Sequence, residues 1–235
     1  MGLFLKQLLA GRDFAKGDSV ATGMANFIYV VGDDETRECL VVDPAWDVEG
    51  ILDYLDNHDF KLAGALATHY HPDHVGGTFL GYTVEGITKL MEQRPVPVHV
   101  NAHEAEWVKE ITGISENDLR KQAGGDEILI GNHRLTFLHT PGHTPGSQCF
   151  LVDGNLISGD TLFIGGCGRV DLPGSDPEQM YYSLTQVLAK LSDETVLYPG
   201  HHYAAKMVST MGDEKRSNFY MKMKSLDDWL SLMGG

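Results

Sequence analysis

Basic residues are scarce in this sequence. Against 33 Asp and Glu stand only 18 Lys and Arg, a formal net charge of −15 over 235 residues. Affinity for nucleic acid rests on basic groups that neutralise phosphates, so this balance disfavours a nucleic-acid partner. It disfavours an anionic membrane surface as well, while leaving room for an anionic small molecule held by a few local Arg or Lys. Cysteine is also sparse. Cys39, Cys149 and Cys167 are odd in number and widely spaced, which fits a reducing cytoplasm rather than a disulfide framework. Long apolar runs are missing, and no stretch approaches the roughly 20 residues of a transmembrane helix. The opening MGLFLKQLLAGRDF is an apolar run broken by Lys6 and Arg12, to which no element is assigned. It lacks the hydrophobic region and cleavage site of a signal peptide, and Lys6 stands where a myristoylation motif has Ser or Thr. No Ser/Gly-rich linker divides the chain. Residues 1–235 are therefore expected to form one domain with a sizeable core, the hydrophobic fraction being 42%. No oligomeric state is implied.

The elements present alternate between two kinds. NFIYVVGD and CLVVDP are rich in β-branched and aromatic residues and read as paired strands joined by DDETRE. DVEGILDYLDNHDF sets Val48, Ile51, Leu52 and Leu55 at helical spacing. LAGALATH follows as a buried strand, and PVPVHV is a strand between the helices VEGITKLMEQR and AHEAEWVKEI. In the second half HRLTFLHT, QCFLVDG and NLISGDT are short strands. DPEQMYYSLTQVLAKL is a helix with Asp176 as N-cap and Pro177 at its first position. ETVLYPGH is a last strand and SLDDWLSLM a closing helix, with Leu226, Leu230 and Met233 on one side. Two such halves predict an α/β architecture with sheets inside and helices outside.

Histidine is clustered against this background. ATHYHPDHVGG, directly behind a strand, supplies His69, His71, Asp73 and His74. Three further stretches place a metal-capable side chain just after a strand: His143 in HTPGHTPGS, Asp160 in LISGDTLF and His201 in LYPGHHY. Strand ends are where loops converge on a rigid scaffold. His69 and His71 are two apart and lean the same way in extended backbone, so they can share one ion. Asp73 and His74 lie past Pro72, where the chain turns, and can face a neighbouring ion. Asp160, with two oxygens, can bridge both. Imidazole and carboxylate without thiolate suit Zn, with Fe and Mn as the alternatives. His202 competes with His201, which is favoured because it follows Pro-Gly directly. His58, His99, His103, His133 and His139 have no partner motif and are read as core or surface residues. Cys167 is read as a small buried thiol rather than a nucleophile.

THYHPDH, HTPGHTPG, SGDTLF and YPGHHY together resemble the metallo-β-lactamase superfamily, from about Asn26 to the C-terminus. The resemblance implies a four-layer αββα sandwich with a metal centre at one edge of two sheets. It implies two divalent ions, His69, His71 and His143 on the first, Asp73, His74 and His201 on the second, and Asp160 bridging. GDTLFIGGCGRVD is similar to the branch of glyoxalase II and persulfide dioxygenase, both acting on glutathione-linked substrates. That likeness makes Arg169 and Tyr203 candidate substrate contacts, with Arg216 in the tail as a further one. Two departures stand out. A short tail replaces the long helical region of glyoxalase II, and Pro72 stands where the dioxygenases favour alanine. The segment from Gly81 to Pro95 resembles an insertion at the site mouth, a lid or a plain surface helix. The activity implied is hydrolysis of a small thioester, possibly glutathione-linked, by a metal-held hydroxide that Asp73 orients. An iron-dependent persulfide dioxygenase, another hydrolase of a lactone or β-lactam, and a non-catalytic metal-binding protein are the alternatives.

Overall fold

The computed structural model of the protein describes residues 2–79 and 81–233. Its first half builds a six-stranded sheet from β1 (Leu3–Leu9), β2 (Phe27–Asp33), β3 (Glu38–Val42), β4 (Lys61–Leu66), β5 (Val98–Asn101) and β6 (Leu119–Gln122), neighbouring in that order. Its second half builds another from β7 (Glu127–Ile130), β8 (His133–His139), β9 (Gln148–Val152), β10 (Asn155–Gly159), β11 (Val196–Pro199) and β12 (Ser209–Thr210), again neighbouring in chain order. Each sheet contains parallel pairs, β3 with β4 and β10 with β11, whose crossovers carry helices onto the outer faces.

Alternation along the strands sorts the side chains into three cores. Phe27, Tyr29 and Val31 of β2 meet Leu135 and Phe137 of β8 and Phe150 and Val152 of β9 between the sheets. The intervening Ile28 and Val30 face the other way, with Val41, onto Ile51, Leu52 and Leu55 of a helix at Val48–Asn57. Cys149, Leu156 and Leu197 on the outside of the second sheet pack on Met180, Leu184 and Leu188 and on the fully buried Trp229. Helix, sheet, sheet and helix therefore stack as a four-layer αββα sandwich, each strand face buried according to the period-two pleat.

Most expected elements form, including the helix capped by Asp176, whose side chain accepts from Gln179 N. Three features differ. The opening run is strand β1, paired along its whole length with β2 from Leu3↔Asp33 to Leu9↔Phe27. Lys6 interrupts the apolar pattern only on one face of that strand. LRKQ and EILI, polar or short, are the edge strands β6 and β7. The segment after the metal loop is neither lid nor surface helix. It forms a small hairpin, then a helix at Ile87–Gln93 whose Ile87 and Leu90 are fully buried in the helix-side core with Val84. Leu80, just before that segment, lies outside the described residues.

The sandwich closes tightly at one edge. Phe27 N donates to Gly200 O and His202 N to Ala25 O, so the start of β2 pairs with the segment after β11. Gly159 has φ +48°, and a Cβ there would sit 2.6 Å from Thr68 Cβ, so only glycine lets β10 end against the His-bearing loop. No described helix is long and apolar enough to cross a membrane.

Candidate metal centre

Four strand ends meet at that edge: β4 with the loop His69–His74, β8 leading to His143, β10 to Asp160 and β11 to His201. The loop after β4 turns into a short helix at Pro72–Val75, with Pro72 at its first position. His69 and His71 precede the turn, Asp73 and His74 lie within it. His69 Nε2 and His143 Nε2 each approach His71 Nδ1 at 3.0 Å. On the other side His74 Nε2 lies 3.2 Å from His201 Nε2, and both lie 3.4 Å from Asp73 Oδ2. Asp160 stands between the sets, its oxygens 3.5 Å from His74 Nε2, 3.3 Å from His201 Nε2 and 3.7 Å from His143 Nε2.

The outward ring nitrogens determine what the inward ones carry. His143 Nδ1 is 2.8 Å from Arg169 O and His201 Nδ1 is 2.8 Å from Met24 O. A carbonyl only accepts, so both histidines donate from Nδ1. His74 Nδ1 donates to Asp43 Oδ2 at 2.8 Å. Thr68 Oγ1 also gives its one proton to Asp43 Oδ2, at 2.7 Å, so His69 Nδ1, 3.0 Å away, must donate to that hydroxyl. In their neutral forms these four histidines turn unprotonated Nε2 atoms toward one another. Asp160 Oδ1 is buried among them without a hydrogen-bond partner.

Such a concentration of lone pairs is unfavourable alone and fits a cation. The titration tendencies agree. Burial works against charge on His74 and His201, yet the carboxylates of Asp73 and Asp160 raise both above the usual histidine range. Burial and neighbouring imidazoles hold His69 and His143 below it and His71 at about 4. Burial also opposes charge on Asp73 and Asp160, but the surrounding histidines keep both carboxyls well below the carboxylate range. Donors from His69, His71 and His143, from His69, His74 and Asp160, and from Asp73, His74 and His201 form three groups, each within 4.8 Å. The cluster has the donor set of a metal site.

His202 turns away, its ring packing on Phe27 at 5.5 Å. Arg169 and Tyr203 border a cavity of about 550 Å³ over the cluster, whose other walls include Met24, Tyr70, Phe163, Leu172 and Pro173. Tyr203 stacks on His201, with ring centroids 4.7 Å apart. The exposed Arg169 guanidinium is paired with Asp171 at 2.9 and 2.8 Å. Arg216 is not brought to the cavity. It pairs with Asp213 and lies near Asp193, which precedes β11 at the strand end remote from His201. Burial pushes the Cys167 thiol up to about 12, leaving it un-ionised at neutral pH.

Sequence reasoning passed over three residues. Asn26 donates from Nδ2 to both Asp73 O and Asp73 Oδ2 at 3.0 Å, and its Oδ1 accepts from Trp46 Nε1. Asp43 orients His74, and Glu104 accepts from Thr144 and Gly146 of the His143 loop. Asp43 stands at the end of CLVVDP, beside the His-bearing strand, and that position is its signal in the sequence.

This fold and site define a metal-dependent hydrolase. The sequence pattern of the metallo-beta-lactamase superfamily matches residues 21–201, and the chain belongs to that superfamily. It is 29% identical to a probable polyketide biosynthesis zinc-dependent hydrolase, PksB, of Bacillus subtilis, over 86% of this chain and 84% of that protein. It is 37% identical to the hydroxyacylglutathione hydrolase of Vibrio cholerae over 78% of this chain, spanning only 64% of that longer protein. Among solved structures, ETHE1 from Myxococcus xanthus superposes with a TM-score of 0.79 at 29% identity, covering 99% of this chain and 90% of that one.

Proposed function

We propose that the protein hydrolyses small acyl thioesters at a pair of divalent ions, zinc in the first place, with hydroxyacylglutathione as the first substrate to test. The observation that carries this reading is Asp160, whose oxygens lie near His74 and His201 of one set and His143 of the other, while Oδ1 has no hydrogen-bond partner. His69, His71 and His143 would hold one ion, Asp73, His74 and His201 the other, and Asp160 both. Bound there, such ions acidify a water molecule and polarise a carbonyl.

The rest falls to the chain's own groups. Asn26 holds the Asp73 carboxylate in place, so that Asp73 can also orient a water on the cavity side. Phe163, Leu172, Pro173 and Tyr70 give the cavity apolar walls that exclude bulk water from an acyl chain. Apart from the cluster itself, the titratable groups on those walls are Arg169 and the tyrosines Tyr70 and Tyr203. No carboxylic acid is left to protonate a poor leaving group. A thiolate departs without one, whereas an amide nitrogen does not. Arg169 and Tyr203 at the mouth would contact the thiol portion. The protein would act in the cytoplasm on a soluble small molecule, without nucleic acid or membrane.

A persulfide dioxygenase on the same scaffold is the second reading, favoured by the likeness to ETHE1 over 99% of the chain. Two assays decide between them: thiol release from S-lactoylglutathione under nitrogen, and oxygen consumption with glutathione persulfide. Thiol release without oxygen uptake supports hydrolysis. Oxygen uptake by iron-loaded protein, without thiol release, overturns it. Elemental analysis near two metals per chain is expected, and a single iron would promote the second reading.

A further inference from the structure

Glu104 sits just before the helix Ala105–Thr112 and is buried, with 1% of its surface exposed. Its Oε1 accepts from Thr144 Oγ1 at 2.5 Å and from Gly146 N at 2.6 Å. Its other oxygen, Oε2, is buried without a hydrogen-bond partner. Ser147 Oγ lies 2.7 Å from Thr144 Oγ1. Thr144 gives its proton to Glu104, so Ser147 donates to Thr144 and the chain of hydroxyls points at one carboxylate oxygen. The fit is close. A Cβ on Gly146 would meet Glu104 Cγ at 2.3 Å. A carboxylate buried against neutral donors is expensive to keep unless its position matters.

Its surroundings show what the position does. Tyr70 lies between His69 and His71, and Thr144 follows His143. The strand ends below are joined independently, Gln148 donating from N to Thr68 O and from Nε2 to Ala67 O. Glu104 adds a second tie, from the His143 loop to the start of the helix Ala105–Thr112. The helix it heads is anchored separately by Ala105 and Val108 in the core and by Trp107, whose ring stacks on Tyr70 at 4.9 Å.

We propose that Glu104 is a positioning residue for the metal centre, clamping the loop of His143 to the helix whose Trp107 stacks on Tyr70, between His69 and His71, so that the three imidazoles are gathered before an ion arrives. This rests on the reading that those three histidines hold one ion.

The test is a Co²⁺ titration of metal-free wild type, Glu104→Gln, Glu104→Ala and Thr144→Val, followed by visible absorption and by chelator competition, with circular dichroism and thermal melting of the metal-free forms. Glu104→Ala and Thr144→Val are expected to weaken one of two Co²⁺ ions about 10- to 100-fold, the usual effect of removing an outer partner of a metal ligand, and to leave the other unchanged. Glu104→Gln keeps an acceptor oxygen and should bind Co²⁺ like wild type. A role confined to docking the helix would lower melting temperatures without separating the two ions. Should Glu104→Ala fail to fold, Thr144→Val decides. Unchanged Co²⁺ affinity in a folded Thr144→Val or Glu104→Ala protein overturns the clamp alone, as does a Gln variant as weak as the Ala variant. Failure of wild type to bind Co²⁺ overturns both the clamp and the proposed function.

Discussion

Replacing Asp43 with Asn isolates the electrostatics of the centre from its shape. Asp43 has φ 54°, in a region Asn tolerates well, so the backbone should not object. Its carboxylate accepts three hydrogen bonds, Thr68 N on Oδ1 at 2.7 Å and Thr68 Oγ1 and His74 Nδ1 on Oδ2 at 2.7 and 2.8 Å. Asn offers one oxygen. With that oxygen kept against Thr68 N, the amide nitrogen faces His74 Nδ1, and His74 relieves the clash by moving its proton to Nε2. The nitrogen meant for the ion is then blocked. With the amide flipped, Thr68 N loses its acceptor in a buried place, at a cost of about 1–3 kcal/mol. Either outcome should weaken binding of the ion served by His74 by about 10- to 100-fold, roughly 1.4–2.8 kcal/mol. Zinc affinity measured against a competing chelator reads this directly, and ¹⁵N shifts of His74 in the metal-free variant report the tautomer. A folded Asp43→Asn protein that binds both ions as wild type does would refute the reasoning.

Other perturbations probe different parts of the same structure. A methyl group on Gly200 would sit 2.3 Å from Asp160 Oδ1, so Gly200→Ala should displace that carboxylate and lower occupancy of both ions by elemental analysis while circular dichroism stays native. Asp33 is enclosed by donors, first Asn132 N and Glu35 N, which hold its carboxyl at about 2 against an ordinary 3.8. Because the folded value is depressed, its stabilisation is complete above about pH 4 and disappears as pH falls through about 2. The stability difference between metal-free wild type and Asp33→Asn, from urea unfolding at a series of pH values, should follow that course, and a difference that grows toward low pH would contradict it. Arg169→Ala should raise KM for S-lactoylglutathione about 2- to 5-fold with little change in kcat, as expected for an exposed charge contact remote from the bond broken. An unchanged KM would leave Arg169 with no part in binding.

Most of the fold was legible because burial leaves a periodic trace. The alternation in FIYVV and the helical spacing in VEGILDYL each mark which face is covered, and the three cores follow those marks. Where the trace is weak the reading stopped. LRKQ forms an edge strand with one buried residue, Leu119. It is held by backbone pairing to β5, which composition does not record. β1 is obscured by Lys6, which is exposed between Phe4 and Leu8 on the helix-side face of an edge strand. The helix after the metal loop reads as a lid or a surface helix because its buried Ile87 and Leu90 sit among charged neighbours, and their partner Val84 comes from a hairpin too short to show a period.

At the metal centre the division between legible and hidden residues has a chemical cause. The seven residues of the cluster are titratable side chains placed just after apolar strands, and that chemistry is written in the residue types. What orients them is written elsewhere. His143 and His201 are held by the carbonyls of Arg169 and Met24, and a carbonyl belongs to every residue alike. Asp43 and Asn26 act across separations of 31 and 47 residues, joined only once β2, β3 and β4 lie side by side. Folding therefore does more than gather ligands. It selects which nitrogen of each imidazole bears a proton, and so turns a polar cluster into one short of positive charge. The closed edge of the sandwich, tied by Phe27 N to Gly200 O and His202 N to Ala25 O, brings His201 beside Asn26 and so beside the Asp73 that Asn26 holds.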